Sequence, residues 1–121
     1  MKTILVVEDN PDNLDLVTEI LEDEGYIVTG ANSAEEGIRL VGEDDVDLVL
    51  MDIGLPDMDG LEATKIIKSD PNIKDIPIVA LTAYAMKGDR EKVLNAGCDG
   101  YLTKPLEEDE LIKKIKEFIG D

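Results

Sequence analysis

The chain has 121 residues, 43% of them hydrophobic and only 3% aromatic, which suits one domain (1–121) built on an aliphatic core. Its 29 acids against 12 bases leave a formal net charge of −17, which disfavours nucleic acid and anionic membranes as partners. With no histidine and a single cysteine, Cys98, it excludes imidazole bases and ligands, an internal phosphohistidine, a disulfide and a cysteine metal cluster.

Taken in chain order, short apolar runs alternate with amphipathic stretches. Ile4–Val7 is apolar and branched, reads as a strand buried on both faces, and runs into Glu8-Asp9. Asn10-Pro11 then sets a capping side chain before a first-turn proline; Leu14, Val17 and Leu21 line the inner face of that helix, and Gly25 stops it. Tyr26–Thr29 is a weaker strand, suited to a sheet edge. Ser33 and Glu36 have capping-box spacing for a second helix with Ala34, Ile38 and Val41 inward. Leu48–Met51 is a second buried strand, ending at Asp52. Asp59 and Glu62 repeat the capping spacing ahead of Leu61, Thr64 and Ile67.

Ile78–Leu81 is the next buried strand and leads into Thr82-Ala83. A helix is expected from near Lys87 to Ala96, closed by Gly97, with Cys98 a small apolar filler. Tyr101-Leu102 is a second edge strand and leads to Lys104-Pro105. In the last helix Leu111, Ile112, Ile115, Phe118 and Ile119 recur at helical spacing. Its acids, Glu107 to Glu110, come first and Lys113, Lys114 and Lys116 follow, as the helix dipole favours. The longest apolar runs, Ile4–Val7 and Leu48–Met51, are far too short for a membrane span or signal core, so a cytoplasmic protein is expected.

The order is five βα units. Right-handed crossovers put helices on both faces of an open parallel sheet, an α/β doubly wound fold of expected strand order 2-1-3-4-5. Ligands in such folds bind beyond the carboxyl ends of the strands. Glu8, Asp9, Asp52, Thr82, Ala83 and Lys104 all follow strands there. Converging carboxylates repel unless a cation intervenes, and Mg²⁺ accepts one or two carboxylates plus water. One carboxylate can then serve as a nucleophile toward phosphorus, while the lysine ammonium, the Thr82 hydroxyl and the Ala83 amide bind phosphoryl oxygens.

Glu8-Asp9, Leu48-Val-Leu-Met-Asp52, Leu55-Pro56-Asp-Met-Asp-Gly60, Thr82-Ala83 and Tyr101-Leu-Thr-Lys104-Pro105, in that order, resemble the receiver domain of bacterial two-component response regulators. The resemblance spans essentially the whole chain. It implies that Asp52 is the phosphoacceptor and that Asp9, helped by Glu8 and the backbone carbonyl of Gly54, holds Mg²⁺. It further implies that Thr82 and Lys104 contact the phosphoryl group, that Tyr101 is a rotating switch residue, and that Lys104–Pro105 is cis. The donor would be a histidine kinase or histidine phosphotransfer protein, and the receiver a monomer signalling to a downstream protein. The stretch Thr82-Ala-Tyr-Ala-Met-Lys-Gly-Asp89 is most similar to single-domain regulators of cell-cycle and phosphorelay systems.

Two departures are mild: the acidic pair is Glu-Asp rather than Asp-Asp, and Gly54 places no side chain beside the site. Asp57-Met-Asp59-Gly60 is shared with other chemistries, which do not fit. In an EF-hand loop the first and last ligands would fall on Leu55 and Ile66, both apolar. An aspartate-nucleophile phosphatase needs its D-x-D directly after a strand, whereas Asp52-Ile53-Gly54 lacks the second acid. A turnover hydrolase is therefore disfavoured; a phosphoacceptor switch leads, with a receiver used only for docking as the other class. Nothing after Gly120-Asp121 could serve as an output domain, so signalling is expected through protein contact or onward phosphotransfer, unless the chain was cut from a longer protein.

Overall fold

Alternating buried runs and amphipathic stretches produce five strands and five helices. The computed structural model describes residues 2–43, 45–55, 57–82 and 87–120, the side chains at 87–90 excepted. The elements are β1 (Thr3–Val7), α1 (Pro11–Asp23), β2 (Ile27–Ala31), α2 (Ala34–Glu43), β3 (Leu48–Asp52), α3 (Gly60–Lys68), β4 (Ile78–Thr82), α4 (Lys87–Asn95), β5 (Gly100–Thr103) and α5 (Glu108–Ile119). All strand pairs are parallel, in the order β2-β1-β3-β4-β5. The central strands β3 and β4 are buried throughout, while β2 and β5 are only partly covered edges, as their weaker apolar character predicts.

Side-chain alternation divides the core in two. Leu5, Val7, Val49, Met51, Ile78 and Ala80 face α2, α3 and α4. Ile4, Val6, Leu48, Leu50, Val79, Leu81 and Leu102 face α1 and α5, meeting Val17, Leu21, Leu111 and Ile115. Each fully buried aliphatic side chain contributes about 1.5–3 kcal/mol. Among the described residues no helix is long and apolar enough to cross a membrane.

The helix ends follow the local chemistry. Asn10 caps α1 by accepting from the amides of Asp12 and Asn13. Gly25 and Gly97, with φ of 93° and 105°, end α1 and α4 in the left-handed region that glycine favours. The second strand lies one residue later than its composition suggests. The Tyr26 amide is spent on the Leu21 carbonyl in the α1 cap, and Tyr26 is buried in the core instead. β2 runs on to Ala31, whose carbonyl accepts the Glu8 amide. Of the two capping boxes, the Ser33 half is present, with Oγ accepting the Glu36 amide at 3.2 Å. Asp59 accepts from Leu61, two residues on rather than three.

Candidate functional site

Glu8, Asp52 and Lys104 converge because strand alternation puts them on one side of the sheet. Ile4 and Val6 precede Glu8, Leu48 and Leu50 precede Asp52, and Leu102 precedes Lys104, each at two-residue spacing and each facing α1 and α5. The Lys104 ammonium lies 3.2 Å from Asp52 Oδ2 and 3.3 Å from Glu8 Oε1. Both acids are almost fully enclosed, at 3% exposure for Glu8 and 6% for Asp52. The Lys104–Pro105 bond is cis, as the resemblance implies.

Burial sets the charges. Burial first, and then the adjacent Asp52 carboxyl, push the Glu8 carboxyl up to about 7, with Lys104 only partly opposing. Burial acts on Asp52 in the same direction but is outweighed. Bonding from the Glu8 carboxyl, the Gly54 amide donating at 3.1 Å, and the Lys104 charge hold Asp52 below the ordinary carboxylate range. Lys104 loses some affinity for its proton through burial, but Asp52 and then Glu8 more than restore it. Of the two carboxyls Glu8 therefore takes up a proton first as pH falls, and Asp52 stays ionised to lower pH.

Asp9 stands beside them, exposed, and carboxylate oxygens of Glu8, Asp9 and Asp52 lie within 4.8 Å of one another. Glu8 Oε2 is buried with no hydrogen-bond partner among the described residues. An orphaned buried oxygen beside two more carboxylates, one open to water, fits a hard divalent cation with a partly aqueous shell. These groups open into a cleft of about 370 Å³ lined also by Asn10, Asn13, Ile53, Gly54, Leu81 and Thr82. Sequence reasoning assigned Asn10 to capping alone and missed Asn13; the helical spacing of the two from a capped N-terminus beside Glu8-Asp9 is the signal that points to them.

Thr82 closes β4 and is buried, while Tyr101 is half-buried on β5 opposite Ala80. Tyr101 packs into the core layer that contains Ala80, and Thr82, two residues on from Ala80, continues that face. The two expected switch residues therefore share the face opposite to Glu8 and Lys104. Ala83 and Tyr84 lie outside the described residues, as do Pro56 and the side chain of Lys87.

The D-x-D-G segment proves to be structural. Asp57 accepts from the amides of Ala34 (3.0 Å) and Glu35 (3.1 Å), so it caps α2 from across the chain, and those two amides hold its carboxyl below the ordinary range. With Ser33 serving Glu36, and the Ser33 carbonyl serving Gly37, the first four amides of α2 are satisfied. Gly60 sits so close to the β3 end that a Cβ would collide with the Asp52 carbonyl and stand 2.8 Å from Ile53 Cα.

The resemblance read from the motifs is matched by known proteins. The chain is 42% identical to the polar-differentiation response regulator DivK of Brucella ovis, over 99% of this chain and 98% of that protein. Its fold superposes at TM-score 0.91 on the receiver domain of a Pseudomonas aeruginosa sensor histidine kinase, 40% identical, over 99% of this chain and 98% of that one. That neighbour was crystallised with a magnesium ion coordinated in its active-site cleft. A TM-score of 0.92 at 32% identity, covering 98% of this chain and 88% of the other, relates it to the receiver domain of the Saccharomyces cerevisiae response regulator Ssk1, solved with the histidine phosphotransfer protein Ypd1. Residues 4–116 match the response regulator receiver domain, and the chain belongs to that family of two-component signalling proteins.

Proposed function

We propose that Asp52 accepts a phosphoryl group from a phosphohistidine on a partner protein, and that the chain acts as a switch rather than a turnover enzyme. The observation that carries this reading is a buried carboxylate kept ionised by its surroundings, beside a lysine ammonium and open to a cleft. In the step itself an Asp52 carboxylate oxygen forms a bond to phosphorus as the phosphorus–nitrogen bond breaks, its electron pair returning to the donor's imidazole. This chain has no histidine, so the donor is a histidine kinase or a histidine phosphotransfer protein, the kind of protein with which Ssk1 was solved.

Glu8, Asp9 and Asp52, with the Gly54 carbonyl, would hold Mg²⁺, waters completing its shell. When bound, the ion offsets negative charge on the transferring group. Lys104 turns from its two carboxylates to a phosphoryl oxygen, Thr82 donates its hydroxyl, and the Ala83 amide supplies a second donor. The changed surface then meets a downstream protein, or the phosphoryl group passes on; we place the protein in the cytoplasm as a monomer. Intact mass after incubation with acetyl phosphate and Mg²⁺ tests the assignment. One base-labile phosphoryl mass is expected on the native chain and none on Asp52→Asn; undiminished labelling of that variant would overturn it.

A further inference from the structure

The groups assigned to Mg²⁺ come from two places in the chain. Glu8 and Asp9 follow β1, whereas Asp52 ends β3 and Gly54 lies two residues beyond it. β3 stays bonded to β4 as far as the Ile53 amide, which donates to the Leu81 carbonyl at 3.1 Å. Gly54 lies past that bond and is exposed, and its amide donates to Asp52 Oδ1, within its own stem. A backbone carbonyl on such a loop holds a set place relative to Glu8 and Asp9 only if the loop is tied to something that β1 also touches.

Asp57, three residues on, supplies that tie. Its carboxylate reaches across 23 and 22 positions of sequence to the amides of Ala34 and Glu35. α2 is a firm post for it. Ala34 is fully buried, and Gly37 packs so closely on β1 that a Cβ would stand 2.7 Å from Val7 Cγ2. Val7 directly precedes Glu8, whose amide donates to the Ala31 carbonyl at the end of β2, at 2.9 Å. The path from Gly54 through Asp57, α2 and Val7 to Glu8-Asp9 therefore joins the two halves of the acid site. Capping alone does not require so distant a residue: Ser33, beside the helix, already serves Glu36.

We propose that Asp57 is a positioning residue for the cation, holding the Gly54 segment in place against Glu8 and Asp9. By reciprocity, cation binding then tightens the start of α2. This rests on the reading that Glu8, Asp9, Asp52 and the Gly54 carbonyl hold Mg²⁺.

The test is an NMR titration of the isotope-labelled chain with Mg²⁺, followed at the amides of Asp9 and Gly54. Asp57→Ala should bind at least about fivefold more weakly than the native chain. Asp57→Asn loses the same charge but keeps an oxygen for the two amides, and should bind nearly as the native chain does. Ser33→Ala removes the other cap of α2 without touching the loop, and its affinity should also stay near native. In the native chain the Ala34 and Glu35 amides should shift along the same binding curve as Gly54, and in Asp57→Ala they should not move. Native affinity in Asp57→Ala overturns the proposal, as do still Ala34 and Glu35 amides in the native chain. Equal losses in Asp57→Ala and Asp57→Asn would reduce the effect to charge, and an equal loss in Ser33→Ala would reduce it to helix stability; either overturns the positioning role. Absence of Mg²⁺-dependent shifts at Asp9 and Gly54 in the native chain would remove the metal reading and this proposal with it, whereas the variants judge Asp57 alone.

Discussion

Glu8 answers to two opposed demands, since a cation site needs its charge and its burial penalises that charge. Its folded pKa of about 7 lies above the ordinary value of 4.5, so the folded state binds the proton more tightly than the unfolded chain does. The stability this contributes is fully present below pH 4.5 and is lost as pH rises through 7. Metal-free protein should therefore melt at progressively lower temperature between pH 5 and 8, while Mg²⁺ affinity climbs over the same window. Calorimetry in both conditions reads this, and a melting temperature flat across that range contradicts it. Glu8→Gln should stabilise the metal-free fold by about 1–3 kcal/mol at pH 8 and weaken Mg²⁺ binding. Lys104 poses the converse case. Its ammonium already neutralises Glu8 and Asp52, so Lys104→Ala should bind Mg²⁺ at least as tightly as the native chain yet label poorly with acetyl phosphate. A fall in Mg²⁺ affinity by titration would show that the lysine organises the acids instead of competing for them.

At the scale of elements, the segment from Ile53 to Gly60 ties three of them together. Its Asp57 holds the start of α2, its Asp59 holds the start of α3, and the Gly60 amide bonds back to the Ile53 carbonyl at 3.0 Å. Gly60 is needed because α3 begins against the backbone that carries Asp52. Backbone cannot yield as a flexible side chain can, so Gly60→Ala should cost about 1–3 kcal/mol in denaturant unfolding. It should also slow acetyl phosphate labelling by displacing Asp52. A variant as stable as the native chain would mean that α3 shifts freely.

Across the whole molecule, Glu8, Asp52 and Lys104 occupy one face of the sheet and Thr82 and Tyr101 the other. A phosphoryl group on Asp52 adds roughly −1.5 to −2 charge and three acceptor oxygens at the sheet edge. Thr82, at the end of the neighbouring strand, can turn toward it, and Tyr101, packed in the same layer, can follow into the space released. Such a switch needs about 1–3 kcal/mol of coupling between two packings. Thr82→Ala is expected to accept phosphate but transmit it poorly, and Tyr101→Ala to change partner affinity with labelling intact. NMR mapping with beryllofluoride, a mimic of the bound phosphoryl group, checks the route: shifts should reach Tyr101 and α4, and shifts confined to the neighbours of Asp52 rule it out.

The sequence by itself determined the order of the elements, because two-residue and helical periodicities are local and each helix carries its own stop or cap. It also determined which strand ends hold Glu8, Asp9, Asp52, Thr82 and Lys104, and hence the family. Contacts between residues far apart in the chain were decided by the tertiary structure. Asp57 reads as one acid of a loop, and only the packing of that loop against α2 makes it a cap. Glu8 reads as the lesser metal residue, and only its enclosure beside Asp52 and Lys104 raises its pKa and leaves an oxygen unpartnered. The start of β2 moved for the same reason: Tyr26 has strand propensity, but its amide is claimed by Leu21 and its ring by the core. Propensity is a property of neighbours in sequence, whereas burial and charge coupling depend on neighbours in space.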